Sequence, residues 1–243
     1  MTMSIQQPKK RSPFFFVMSL IGLTAVLIGF GKTFFLPVSQ GSFVAPLIIH
    51  LHGAFAFGWI ILFFIQAFLI SRSLYSLHAR LGIVGLILAA GIASTLFPTG
   101  KFVVDRDLAA GLGDSAYSTI LGTIVSGLLF FSLVVAGIWN RNRPDVHKRF
   151  MLLATIVVLW PAWFRFRHYF PSVPQPEIWF ALVLADSLIL ALWIHDWIRL
   201  KKIHPVSLYA GLFIILEQSF EVWAFDRPLW RVMAKEIYSW MPA

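Results

Sequence analysis

At 243 residues, 58% hydrophobic and only 13% charged, with a mean hydropathy of +0.78, the chain lies far outside soluble-globular usage. Zero cysteines exclude disulfides, thiolate metal ligands, covalent c-type haem attachment and a Cys nucleophile, so a metal or haem iron would have to be held by His, carboxylate or Met. The net charge of +9 comes from bases set in blocks between apolar runs, which argues against a nucleic-acid surface and for membrane topology.

About 20 consecutive apolar residues cross a bilayer core. Runs of that kind recur at about 14–36, 44–70, 81–97, 117–139, 150–168, 178–198 and 208–223. The first follows Pro8-Lys9-Lys10-Arg11; it is longer than a secretory h-region and no A-x-A site follows, so it reads as a retained span. Seven spans leave almost no room for a soluble domain. The expected architecture is all-α: one polytopic transmembrane helical bundle over residues 1–243, in a bacterial inner membrane.

Lys and Arg number three in the N-terminal tail, two in 71–80, four in 140–149 and three in 199–206, twelve of the 20 in all. These segments alternate with poorer ones, the positive-inside pattern for N-terminus inside and C-terminus outside. Lipid headgroups are the expected partners of the excess charge.

Span two carries His50 and His52 in an otherwise apolar run, and titratable groups at that depth are costly and by default functional. They differ by about 200° around a helix axis, so both cannot face one site. His52 shares its face with Trp59 and Gln66 at i+7 and i+14, a polar and aromatic stripe that suits the bundle interior. His50 shares its face with Ala54, Phe57 and Ile61, which offer no polar partner.

The segment SRSLYSLHARL (71–81), between spans two and three, aligns without gaps on NRNRPDVHKRF (140–150), between spans four and five. Arg72, His78 and Arg80 fall on Arg141, His147 and Arg149, a weak two-helix hairpin repeat. In span five Pro161 is expected to break the hydrogen-bond ladder just before Arg165, Arg167 and His168. Span six contributes Asp186, and span seven Glu217 and Glu221 on one face. At about 1.5 Å per residue, these groups and Lys32 fall in one outer-leaflet layer with His50 and His52.

HLHGAFAFGWIILFFIQAFLI followed by LHARLG, and later RPDVHKRFMLLATIVVLWPAWFRF, resembles a family of uncharacterised bacterial membrane proteins. Its hallmark positions are here His52, Trp59, Gln66, Leu77 to Gly82 and His147 to Leu152. The resemblance covers about spans two to five and implies a polytopic fold without a specific activity. The ligand signature of two-haem transmembrane b-type cytochromes has no close match here.

Two functional classes follow. In a haem-binding redox protein, His52 and His168 would ligate a haem b whose propionates meet Arg165 and Arg167, and His78 with His147 would hold a second haem. An electron-transfer or membrane-complex partner would then be needed. In the other class, a proton-coupled carrier or a metal-dependent intramembrane enzyme, His50, His52, Asp186, Glu217 and Glu221 would form a proton relay or a zinc or iron site. A small membrane accessory subunit, held by helix contacts alone, is a third reading.

Overall fold

The computed structural model describes residues 12–241. The basic tail Pro8 to Arg11, part of the predicted topology signal, lies outside them. No strand occurs among the described residues. The helices are α1 (Phe14–Gly29), α2 (Leu36–Ser39), α3 (Leu47–Ser71), α4 (Tyr75–Ala109), α5 (Thr119–Trp139), α6 (Pro144–Phe164), α7 (Ala185–Leu200), α8 (Pro205–Ala224) and α9 (Pro228–Ser239). Gly31–Phe35 and Glu177–Leu184 are π-helical; Gly113–Ser118 and Arg165–His168 are 3₁₀ turns.

Five stretches are each long and apolar enough to cross a membrane: α3, α4, Gly113–Trp139, Pro144–His168 and Glu177–Leu200. Two bent pairs bring the number to seven: α1 with Gly31–Ser39, bent by 44°, and α8 with α9, bent by 98°. At 12 residues, or about 18 Å, α9 falls short of a hydrocarbon core of about 30 Å, so α8 is the crossing part of its pair. Large aliphatic side chains stand exposed along the spans, among them Ile61, Ile83, Ile87, Leu128, Ile194 and Leu216. Apolar surface on that scale fits lipid as solvent, and the chain is a membrane-embedded multi-pass protein.

At the centre stands α6, whose residues from Leu152 to Val157, with Leu159 and Ala162, are buried on all sides. A helix apolar all round belongs in the middle of a bundle. It meets α5, α1, α3, α7, α8 and the segment 177–184. Successive helices α3, α4, α5 and α6 pack as neighbours, and α1 lies against both α3 and α6. Gly29 permits the closest approach, since a Cβ there would collide with the Ala162 carbonyl.

Three boundaries differ from the sequence expectation for physical reasons. The third span, expected at 81–97, is the 35-residue α4, about 52 Å long. It runs on through Pro98 into a charged stretch where Lys101 and Asp105 pair at i,i+4, so hydropathy stops before the helix does. The fifth span, expected at 150–168, begins earlier, at Pro144, which suits the first helical position, and runs through Pro161 as α-helix to Phe164. The C-terminal tail is the amphipathic α9. Ala234, Trp230, Ile237 and Tyr238 of α9 pack on Val104, Ile120 and Leu121, forming a second core at the predicted outer end.

The hairpin repeat has a structural counterpart. Tyr75 begins α4 and Pro144 begins α6, at the same offset of 69 as the sequence match. The first-turn bonds correspond as well: the His78 amide donates to the Leu74 carbonyl at 3.0 Å, and the His147 amide to the Arg143 carbonyl at 2.9 Å.

Candidate functional site

The α3 stripe faces the interior, as its spacing predicts. His52 Nδ1 lies 2.8 Å from Thr95 Oγ1 on α4. The Thr95 hydroxyl donates to the Gly91 carbonyl at 2.6 Å, so its oxygen accepts from His52 Nδ1–H and leaves the His52 Nε2 lone pair free. Trp59 Nε1–H donates to Thr155 Oγ1 on α6 at 3.2 Å, and Gln66 Nε2–H to the His78 carbonyl at 3.1 Å. Each of the three residues thus ties α3 to a neighbouring helix. His50 is exposed, its ring edge-on to Phe43 at 5.4 Å.

At the predicted inner end, His78 of α4 and His147 of α6 come together with ring centroids 6.3 Å apart and planes at 87°. His147 Nδ1–H donates to the Gly137 carbonyl at 2.8 Å, which fixes its tautomer and leaves Nε2 as a lone pair. Among the described residues, His78 Nδ1 is buried without a hydrogen-bond partner, as is the nearby Gln66 Oε1. The rest of the repeat diverges: Arg80 is exposed, whereas its counterpart Arg149 is 2% exposed.

Arg149 organises a buried polar tie that sequence reasoning missed. Its guanidinium grips both carboxylate oxygens of Asp196 on α7, with Nε at 3.1 Å from Oδ2. It also donates to Ser207 Oγ on α8 at 3.1 Å and to the Asp145 carbonyl at 2.7 Å. Ser207 Oγ donates in turn to Asp196 Oδ2 at 2.5 Å, and so does the His204 amide at 3.2 Å. His204 caps α8 by accepting the Val206 amide at Nδ1. Burial, with Arg149 close by, holds the His204 imidazole below its ordinary range. Asp196 is 47 residues from Arg149, and only the fold reveals the pairing.

The predicted outer layer divides into separate neighbourhoods. Asp186 on α7 and Glu217 and Glu221 on α8 belong to helices that pack against α6 and against each other. Glu217 is near enough to repel both other carboxylates. Among the described residues, Asp186 Oδ1, Glu217 Oε2 and the neighbouring Gln218 Oε1 are buried without hydrogen-bond partners. Glu221 meets Ser126 Oγ of α5 at 3.5 Å and lies against Gly122. No base pairs with any of the three carboxylates among the described residues.

The residues His50, His52, Asp186, Glu217 and Glu221 have separate partners: His52 bonds Thr95, His50 is exposed against Phe43, and the carboxylates belong to α7 and α8, with Glu221 against Ser126. Among the described residues no three His, Asp or Glu side chains are placed to hold a metal ion. His52 bonds Thr95 through Nδ1 and keeps Nε2 free, and His168 is exposed on the 3₁₀ turn after α6, with no ring contact between the two among the described residues. Nor do Arg165 and Arg167 face the His78–His147 pair, which sits at the opposite end of α6. Arg165 donates to the Pro161 carbonyl at 2.7 Å and stacks on Phe30 at 4.1 Å; Arg167 donates to the Phe164 carbonyl at 3.1 Å and stacks on the Phe164 ring.

No family model, curated protein or solved structure matches the chain.

Proposed function

We propose that the protein is a membrane redox protein that binds one haem b through His78 and His147. The observation that carries the reading is the approach of these two imidazoles, from different helices, to a centroid separation of 6.3 Å. Two imidazoles from different helices at this separation would hold a haem iron between them. His147 also has the second-shell bond expected of a ligating histidine, its other ring nitrogen donating to a backbone carbonyl. Two histidines alone are too few for a zinc cage but would suffice to hold a haem, which brings its own porphyrin nitrogens. Arg72, Arg80 and Arg141 stand exposed at this end, available to the propionates.

In this reading the haem, when bound, supplies the one-electron chemistry. The chain orients the ligands: Gly137 sets the His147 tautomer, and the Gln66 bond to the His78 carbonyl holds the first turn of α4 against α3. The test is the absorbance spectrum of detergent-purified protein, before and after addition of haemin. A Soret band with reducible α and β bands is expected, lost in His78→Ala and His147→Ala and kept in His52→Ala. A protein that stays colourless with haemin, or whose bands survive both inner substitutions, refutes the assignment.

A second reading rests on a different observation. Asp186 and Glu217 are buried carboxylates without a cationic partner, the arrangement of an intramembrane proton site. It predicts a proton-coupled carrier in which α7 and α8 exchange protons with a transported solute. Dicyclohexylcarbodiimide, which attacks protonated carboxyls in apolar surroundings, should label the wild type and not the Asp186→Asn, Glu217→Gln double variant. Equal labelling of the two would remove this reading.

A further inference from the structure

A corner at the predicted outer end concentrates positive charge. There the π-helical extension of α1 meets the 3₁₀ turn after α6, bringing together Lys32, Arg165 and Arg167. None of the three pairs with a carboxylate among the described residues. Their partners are neutral. Lys32 Nζ donates to the His168 carbonyl at 3.0 Å and lies 4.4 Å from the centre of the Tyr169 ring. Arg165 and Arg167 each donate one N–H to a backbone carbonyl and rest on Phe30 and Phe164.

A guanidinium carries five donors in a fixed fork, so most of those on Arg165 and Arg167 are unspent. The charges also oppose one another. Arg165 is repelled by Arg167 and by Arg106, and all three cations of the corner act on His168. Carbonyls and ring faces offset only part of such repulsion where solvent screening is reduced. Tyr169 fixes the corner by donating its hydroxyl to the Ile28 carbonyl at 2.7 Å, so the cations cannot simply spread apart. What the corner lacks is an oxyanion able to accept several charge-assisted bonds at once. A tetrahedral phosphate does this, and forked guanidiniums suit its geometry.

We propose that Lys32, Arg165 and Arg167 form a binding site for a phosphate group. Phe30, Phe164 and Tyr169 act as the platforms that hold the three cationic side chains in place. The phosphate can come from the headgroup of an anionic phospholipid or from a free phosphate. This inference stands apart from the haem reading, whose histidines lie at the opposite end of α6.

The test is native mass spectrometry of delipidated full-length protein titrated with phosphatidylglycerol, with and without millimolar inorganic phosphate. Wild type is expected to bind the lipid about 10-fold more tightly than the Arg165→Gln, Arg167→Gln double variant, the loss of charge-assisted bonds being of that order. Lys202→Gln, an exposed base at the other end, should match wild type. Lipid binding that resists inorganic phosphate identifies a headgroup site, and displacement by it identifies a free-phosphate site. Equal lipid binding by wild type and the double variant overturns the proposal. Should that variant not fold, exposed Lys32→Gln decides instead: a weakening of a few-fold supports the site, and no change overturns it.

Discussion

Helix α7 carries two buried aspartates, Asp196 near its predicted inner end and Asp186 ten residues earlier, about 15 Å away along the axis. Asp196 is enclosed by Arg149, Ser207 and the His204 amide, with both oxygens bonded. Asp186 keeps one oxygen buried and unbonded, and its charged neighbour is another acid, Glu217. The same residue type on the same helix therefore does two different things. A fully satisfied ion pair joining three helices is cement. A carboxylate left without donors costs stability and persists where a proton or a ligand completes it.

The sharpest way to break this comparison is to delete one partner of each. Arg149→Ala would leave Asp196 as an uncompensated buried charge, and a loss of about 3–5 kcal/mol is expected. Thermal unfolding in detergent should show it as a large drop in midpoint. Asp186→Asn removes a charge that nothing balances, so its effect on the midpoint should be small or stabilising. A midpoint as low in Asp186→Asn as in Arg149→Ala would erase the distinction.

A smaller effect probes the acid cluster from across the helix interface. A Cβ at Gly122 would enter the space of the Glu221 carboxylate. Gly122→Ala should therefore cost about 1–3 kcal/mol as an overpacking change, unless Glu221 moves. Glu221→Ala in the same background should relieve most of that cost. If the two substitutions simply add in a double-mutant cycle, the contact is not energetically significant. Weaker still is Trp59→Phe, which removes the indole donor to Thr155 and keeps most of the packing. Interhelical hydrogen bonds of this kind average about 0.6 kcal/mol in a bundle. A loss of several kcal/mol would mean that Trp59 does more than tie α3 to α6.

How much of this was legible in the chain follows from the range of each signal. Hydropathy acts over one segment and finds apolar runs, not polar helix ends: α4 begins at Tyr75 and α6 at Pro144, before the expected 81 and 150, and charges at Lys101 to Asp107 hid the end of α4. Periodicity acts over one helix face, so the inward stripe of His52, Trp59 and Gln66 and the outward position of His50 were readable. The offset of 69 brought His78 and His147 into correspondence, and the fold brings their rings together. Depth along a helix says nothing of azimuth around the bundle. That is why residues of one predicted layer have different partners, Thr95 for His52 and Ser126 for Glu221. Pairing across 47 residues left no local trace, and Arg149 looked like any base at an inner loop. The helix α9 did leave one: Trp230, Ala234, Ile237 and Tyr238 recur at helical spacing on its buried face.

The docking of α9 supplies the mildest test, and it concerns a carboxylate outside the spans. Asp226, at the bend between α8 and α9, accepts Arg231 Nε and NH2 at 2.7 and 2.5 Å and the Ser118 hydroxyl at 2.8 Å. The Arg231 hydrogen bonds foremost, with help from Ser118 and against the opposing effect of burial, hold this carboxyl below its ordinary 3.8. With the folded value depressed, the carboxylate stabilises the docked helix at neutral pH. That contribution is lost as pH falls below about 4, through the folded value. Trp230 reports the change, because its indole donates to the Ser118 carbonyl at 2.8 Å beside the same contact. In protein labelled with 5-fluorotryptophan, the Trp230 resonance, assigned with Trp230→Phe, should shift on acidification below about pH 4. In Asp226→Asn it should already sit at the shifted position at neutral pH and ignore acid. A Trp230 signal that titrates identically in both proteins would place the acid-sensitive contact elsewhere in α9, where Lys235 meets Asp114 at 2.7 Å.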